Sequence, residues 1–216
     1  MSIVFEQLQR ERIIAILRNV PENQADALVE ALARAGVVFV EATLNSAGAL
    51  AMISRWRECY GDRMRIGAGT VIDLNRAREA VAAGAQYLIS PNLDEAVIDY
   101  AREQAVDVYP GAMTPSEIVR AWNAGATAVK VFPMASLGLA YLQEIRAPLD
   151  HIPMISTGGV RLDNIQQFLA AGVTAVGLGG SIANLALVRE GRFDEIERNA
   201  AALVQAAKSA AGVVNS

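Results

Sequence analysis

Two lysines are present in a chain of 216 residues, Lys130 and Lys208, against seventeen arginines. There is one histidine, His151, and one cysteine, Cys59. A single cysteine rules out an intramolecular disulfide. One His and one Cys cannot build a Cys/His zinc site, and no H-E-x-x-H occurs. Nineteen basic residues against twenty-three acidic ones leave a formal charge of −4, which argues against nucleic acid as a partner. No apolar run approaches the ~18 residues that would span a bilayer, so no membrane partner is expected. The stretch 1–12 mixes charges with apolar residues and has no secretory h-region. What the chain has instead is core: 53% hydrophobic residues and a mean hydropathy of +0.27. Together these features predict a soluble, cytoplasmic globular protein, a single domain over 1–216.

One pattern repeats. Ala35-Gly36, Ala83-Gly84, Ala124-Gly125 and Ala171-Gly172 each close a helix-like segment and precede a β-rich apolar run. Glycine suits the left-handed position that stops a helix. The apolar runs predict buried parallel strands over 13–18, 38–44, 65–71, 87–91, 107–111, 128–133, 154–158 and 175–179. Helices are predicted over 22–35, 48–60, 75–83, 94–104, 115–124, 139–145, 163–171 and 193–211, with a short extra helix over 182–188 and another at the N-terminus. Thr114-Pro115 with Glu117 reads as a capping box. Eight alternating units close naturally into a (β/α)8 TIM barrel. The competing open doubly wound sheet would carry a dinucleotide or Walker loop, and neither is present.

Barrel active sites form at the C-terminal ends of the strands. Lys130 lies there, inside the apolar strand AVKVFP. A desolvated amine can attack a carbonyl and form a Schiff base. A lysine in a buried ion pair, or one snorkelling past the strand end, explains the residue equally well. Glu41 is an acid in the second strand: a general acid/base beside Lys130, or the ion-pair partner of Lys130 or Arg18. The last two strands end in Gly158-Gly159 and in Gly179-Gly180-Ser181. Such loops, with a short helix behind them, bind phosphate in many barrels. His151 and Lys208 read as surface, and Cys59 as packed.

The strings IIAILR, VEATLNS, IGAGTV, ISPN, YPGAMTPSE, VKVFP, STGGV and VGLGGS stand in the order found in the 2-keto-3-deoxy-6-phosphogluconate and 6-phosphogalactonate aldolases. The chain resembles this family over roughly residues 8 to 190. The resemblance implies a homotrimeric class I aldolase of carbohydrate metabolism, of Entner–Doudoroff type, without metal or cofactor. Its substrate would be a phosphorylated keto sugar acid, cleaved reversibly to pyruvate and glyceraldehyde 3-phosphate. Lys130 would then form the Schiff base and Glu41 would move protons. Arg18, Thr70 and Thr157 would hold the pyruvyl carboxylate, and Pro91 and Phe132 would wall the pyruvyl group. Gly158, Gly159, Gly179, Gly180 and Ser181 would take the phosphate. Some relatives carry arginine where this chain has Asn45, which leaves the carboxylate to Arg18. An aldolase for unphosphorylated 4-hydroxy-2-oxo acids and a non-catalytic phosphosugar-binding barrel are the alternatives.

Overall fold

In the computed structural model, residues 2–61 and 63–209 are described. Nine parallel strands run β1 (Ile13–Leu17), β2 (Phe39–Thr43), β3 (Arg65–Gly69), β4 (Tyr87–Ile89), β5 (Asp107–Tyr109), β6 (Gly111–Ala112), β7 (Val129–Val131), β8 (Met154–Thr157) and β9 (Ala175–Leu178). Their spatial order is β5-β4-β3-β2-β1-β9-β8-β7-β6. The two ends of that order, β5 and β6, are consecutive in the chain and separated by Pro110 alone. The sheet therefore comes round on itself as a barrel.

The ninth strand is a correction to the eight predicted. A proline has no N–H to give to a ladder, and here it divides the predicted strand 107–111 in two. Its carbonyl stays in use, accepting from the Lys130 amide at 2.9 Å.

Helices α1 (Ile3–Glu11), α2 (Glu22–Arg34), α3 (Ala49–Tyr60), α4 (Leu74–Ala82), α5 (Glu95–Glu103), α6 (Pro115–Asn123), α7 (Met134–Arg146), α8 (Ile165–Ala170), α9 (Leu185–Arg189) and α10 (Phe193–Ser209) flank the strands. All four repeated glycines, Gly36, Gly84, Gly125 and Gly172, take positive φ where a helix stops. The Thr114/Glu117 capping box is in place, with Glu117 Oε2 accepting from the Thr114 amide at 2.8 Å.

Two helices start three or more residues from where they were predicted, the others within two. α7 begins at Met134 rather than 139, with a break at Gly138 (φ 79°) inside it. α9 begins at Leu185 rather than 182, because Asn184 caps it by accepting from the amides of Ala186 and Leu187. Residues 210–211 of the predicted last helix lie outside the described residues.

Side chains alternate along each strand, so every second residue faces the barrel axis. Ile14, Phe39, Tyr87, Ile89, Tyr109 and Ile155 fill the lower interior. Phe5 and Leu8 of α1 pack against this layer and close the end from which the strands begin. Ser2 fixes that plug: its hydroxyl caps Phe5 N at 3.0 Å and donates to buried Asp107 at 2.5 Å. No helix among the described residues is long and apolar enough to cross a membrane.

Candidate active site

Above the plugged floor, the interior becomes polar. Glu41 on β2 and Lys130 on β7 both face inward, and they are 0% and 4% exposed. No carboxylate oxygen among the described residues comes within 4.0 Å of Lys130 Nζ, so the lysine is not locked in an ion pair. Its contact is with an aromatic face: Nζ lies 5.0 Å from the Phe132 ring centroid. A cation over a ring gains ~0.5–2 kcal/mol, less than the several kcal/mol that ammonium desolvation costs.

Burial accordingly pushes the Lys130 ammonium down from the ordinary lysine range. Glu41 opposes that shift and Arg18 adds to it. Glu41 moves the opposite way, raised by burial and only partly restored by Lys130 and Arg18. The two groups are thus brought towards each other in acidity, an amine that can lose its proton beside an acid that can keep one.

The sequence makes room for this acid. A Cβ at Gly69 of β3 would overlap the Glu41 carboxyl, and one at Gly67 would overlap the Tyr87 ring. Neither glycine has a positive φ, so each is there for the space it leaves. At β9, a Cβ on Gly177 would sit 2.6 Å from Thr157 Oγ1. These three positions were not among the predicted site residues. Their signal was available, since glycines at i and i+2 in a strand empty one face of it.

A cleft of about 330 Å³ opens over the lysine side of the barrel. Arg18, Phe132, Thr157, Gly158, Gly179 and Gly180 line it, as predicted site residues, and Ile16, Asn19 and Leu185 line it unpredicted. Arg18 projects from just beyond the end of β1, where the Asn19 amide is pinned to Ser46 Oγ at 2.8 Å. Lys130 and Glu41 lie beneath this cleft, Lys130 against its Phe132 wall and Glu41 in register with Ile16. Gly159 and Ser181 adjoin the cleft without lining it, while Thr70 and Pro91 stand at the ends of β3 and β4, apart from it.

The glycines differ in what they do. Gly158 and Gly159 have φ of 103° and 73° and press against the start of α7 at Met134 and Ala135. They are needed for the turn. Gly179 and Gly180 have neither positive φ nor any atom within 4 Å of a Cβ, so they leave open space at the cleft. The amides of Gly158, Gly159, Gly180 and Ser181 reach no other backbone group among the described residues. Free amides beside open space suit an anion. The N-terminus of α9 does not contribute as predicted, because Asn184 already occupies its first amides.

Thr70 carries strain. Its φ is 59°, and for a β-branched residue that is an outlier costing ~1–3 kcal/mol. Thr70→Gly should therefore unfold a few degrees higher in calorimetry despite glycine's entropic cost.

The remaining predicted surface residues fall as expected, with one correction. His151 is exposed, and Lys208 pairs with Glu11 at 3.5 Å. Cys59 is exposed, not packed: it lies in the last turn of α3, beyond the buried Met52, Ile53 and Trp56. Among the described residues no group of three or more His, Cys, Asp or Glu is placed to hold a metal.

A buried unpaired lysine, an uncompensated acid across from it and an amide-lined cleft define an enzyme of the Schiff-base-forming barrel class. The model of the KDPG and KHG aldolases matches residues 4–199, and the chain belongs to that family. It is a carbon–carbon lyase. The 2-dehydro-3-deoxy-6-phosphogalactonate aldolase of Escherichia coli K12 is 35% identical over 200 residues, 92% of this chain and 95% of that protein. A native KDPGal structure superimposes with a TM-score of 0.86 at 33% identity, covering 93% of this chain and 96% of that one. The KDPG aldolase of Legionella pneumophila, solved with pyruvate captured as a covalent carbinolamine, gives 0.85 at 25% identity over 94% and 98%.

Proposed function

We propose that this aldolase cleaves 2-keto-3-deoxy-6-phosphogluconate, or its 6-phosphogalactonate epimer, reversibly to pyruvate and glyceraldehyde 3-phosphate. One observation carries the reading: Lys130 is buried with no carboxylate among the described residues within 4.0 Å, next to an acid that burial makes reluctant to ionise. A lysine kept for structure would be paired.

Lys130 Nζ, as the neutral amine, adds to the C2 carbonyl to give a carbinolamine. Loss of water, with a proton supplied by Glu41, leaves a protonated imine. That cation draws the C3–C4 bonding pair towards C2 while Glu41 takes the C4 hydroxyl proton. Glyceraldehyde 3-phosphate leaves, and an enamine remains on Lys130. Glu41 returns its proton to C3; water then adds to the imine carbon with its proton passing to Glu41, and collapse of the carbinolamine releases pyruvate and the neutral Lys130 amine. Each proton taken is given back, so the residue ends as it began.

Arg18 and Thr157 hold the carboxylate by charge and hydroxyl donation, and Phe132 confines the pyruvyl carbons; for Thr70 and Pro91, which do not line the cleft, the same roles rest on the resemblance alone. The amides of Gly158, Gly159, Gly180 and Ser181, with the space left by Gly179, receive the phosphate. As the resemblance implies, the working form is a cytoplasmic homotrimer, which light scattering on the purified protein checks.

Borohydride reduction in the presence of pyruvate tests the chemistry: the added mass should appear on Lys130, and its absence sinks the reading. Turnover on both epimers assigns the C4 configuration, and 4-hydroxy-2-oxoglutarate tests the phosphate. Comparable kcat/KM on that unphosphorylated acid would exclude the phosphate cradle. Gly180→Asp, which places a carboxylate in the open space, should raise KM for the phosphorylated substrate about tenfold or more by like-charge repulsion. KM for the unphosphorylated acid should hardly move.

A further inference from the structure

Beneath Glu41 the barrel axis holds a second polar group that the reaction so far leaves idle. Tyr87 of β4 is 0% exposed, and its hydroxyl has no hydrogen-bond partner among the described residues. Both carboxyl oxygens of Glu41 are likewise buried without one. Three orphaned polar atoms in one small interior are costly, and native cores resolve such groups among themselves or with water.

The glycines of β3 place these groups side by side. The Tyr87 ring, near its hydroxyl-bearing carbon, occupies the space over Gly67, and the Glu41 carboxyl occupies the space over Gly69. These are consecutive inward positions on one strand, ~6.6 Å apart. A single water making two hydrogen bonds at its near-tetrahedral angle spans ~4.5 Å, a gap that side chains rooted over positions so spaced can leave between their polar ends. The ring is firmly held, packed 5.7 Å from Phe39 on one side and 5.7 Å from Tyr109 on the other.

We propose that the Tyr87 hydroxyl supports the Glu41 carboxyl from below through one buried water, making Tyr87 a positioning residue of the aldol step. The hydroxyl is a donor to the carboxylate. It aims the carboxyl upward at the substrate and favours the ionised form that takes the C4 proton. The role rests on Glu41 acting as proposed above.

Each group facing the pair has its place. Glu41 is faced by Lys130 from β7, by Arg18 from the end of β1 and by Tyr87 from β4. Tyr87 is faced by Glu41 and by Tyr109 of β5, whose hydroxyl donates to Asp107 at 3.4 Å. Burial holds both phenols well above their usual range, so they act as donors and not as phenolates.

Tyr87→Phe keeps the ring and removes only the donor. Once the imine has formed, Lys130 no longer titrates as an amine, so the acid limb of kcat against pH reports Glu41 in the complex. Losing a donor to the carboxylate raises its pKa. The expected result is an acid limb displaced to higher pH, kcat lowered about tenfold near neutrality and KM changed less than twofold. The same substitution in a Glu41→Gln background should have no further effect on kcat, since Tyr87 acts through that carboxyl. An unchanged acid limb, or an equal loss in both backgrounds, overturns the proposal. Borohydride trapping of pyruvate on Lys130 is read in the same samples. If it succeeds while the limb stays put, the Tyr87 role alone has failed; if it fails in the unsubstituted protein, the proposed function has failed.

Discussion

Lys130→Arg is expected to lower turnover by about four orders of magnitude or more, because a guanidinium stays protonated and cannot form an imine. Pyruvate and borohydride should leave no label. Lys130→Met separates chemistry from stability. It should be equally inactive yet unfold at a higher temperature, since it removes a buried ammonium with no counter-ion among the described residues within 4.0 Å. The sign of the pH dependence checks the cause. Burial lowers the lysine's pKa in the folded chain. Between that lowered value and the ordinary one, ~10.4, the unfolded chain binds more protons, so stability rises with pH across the window. The advantage of Lys130→Met should therefore shrink as pH rises through that interval, in thermal melts followed by circular dichroism. A constant difference would mean that packing, not charge, sets the stability.

Glu41→Gln is expected to reduce kcat by about 10²- to 10⁴-fold, the range of a positioned general acid/base. Glutamine keeps the shape and loses the titratable proton. The acid limb of kcat should disappear with it, and pyruvate should still label Lys130, more slowly but to the same extent. Full activity in Glu41→Gln would leave proton transfer to water and remove the role assigned to this residue. Because Gly69 leaves space for the carboxyl and nothing else, the test reads the proton and not a displaced strand.

Much of this was legible in the chain before folding. Alternation and four glycine stops carry the barrel, since a helix must end where φ turns positive and a buried parallel strand must be apolar on both faces. Lys130 and Glu41 stand out because a charge in such a strand needs a reason. What escaped depends on relations between strands. Pro110 reads as an ordinary strand residue until its neighbour's ladder shows the missing donor. The onset of α9 turns on whether Ser181 or Asn184 caps it, a choice of three residues that periodicity does not resolve. Tyr87 reads as core, and it is core. That its hydroxyl goes unanswered beside an unanswered carboxyl emerges only when β2, β3 and β4 lie together.

The plug formed by α1 has a kinetic meaning. With Phe5 and Leu8 sealing one end, traffic to the amine uses a single door. On the proposed chemistry the pyruvyl unit sits at the back of that blind corridor and the aldehyde nearer the door. The order of events is then set by queueing: in cleavage the aldehyde departs first and pyruvate last, and in synthesis pyruvate must enter before its acceptor.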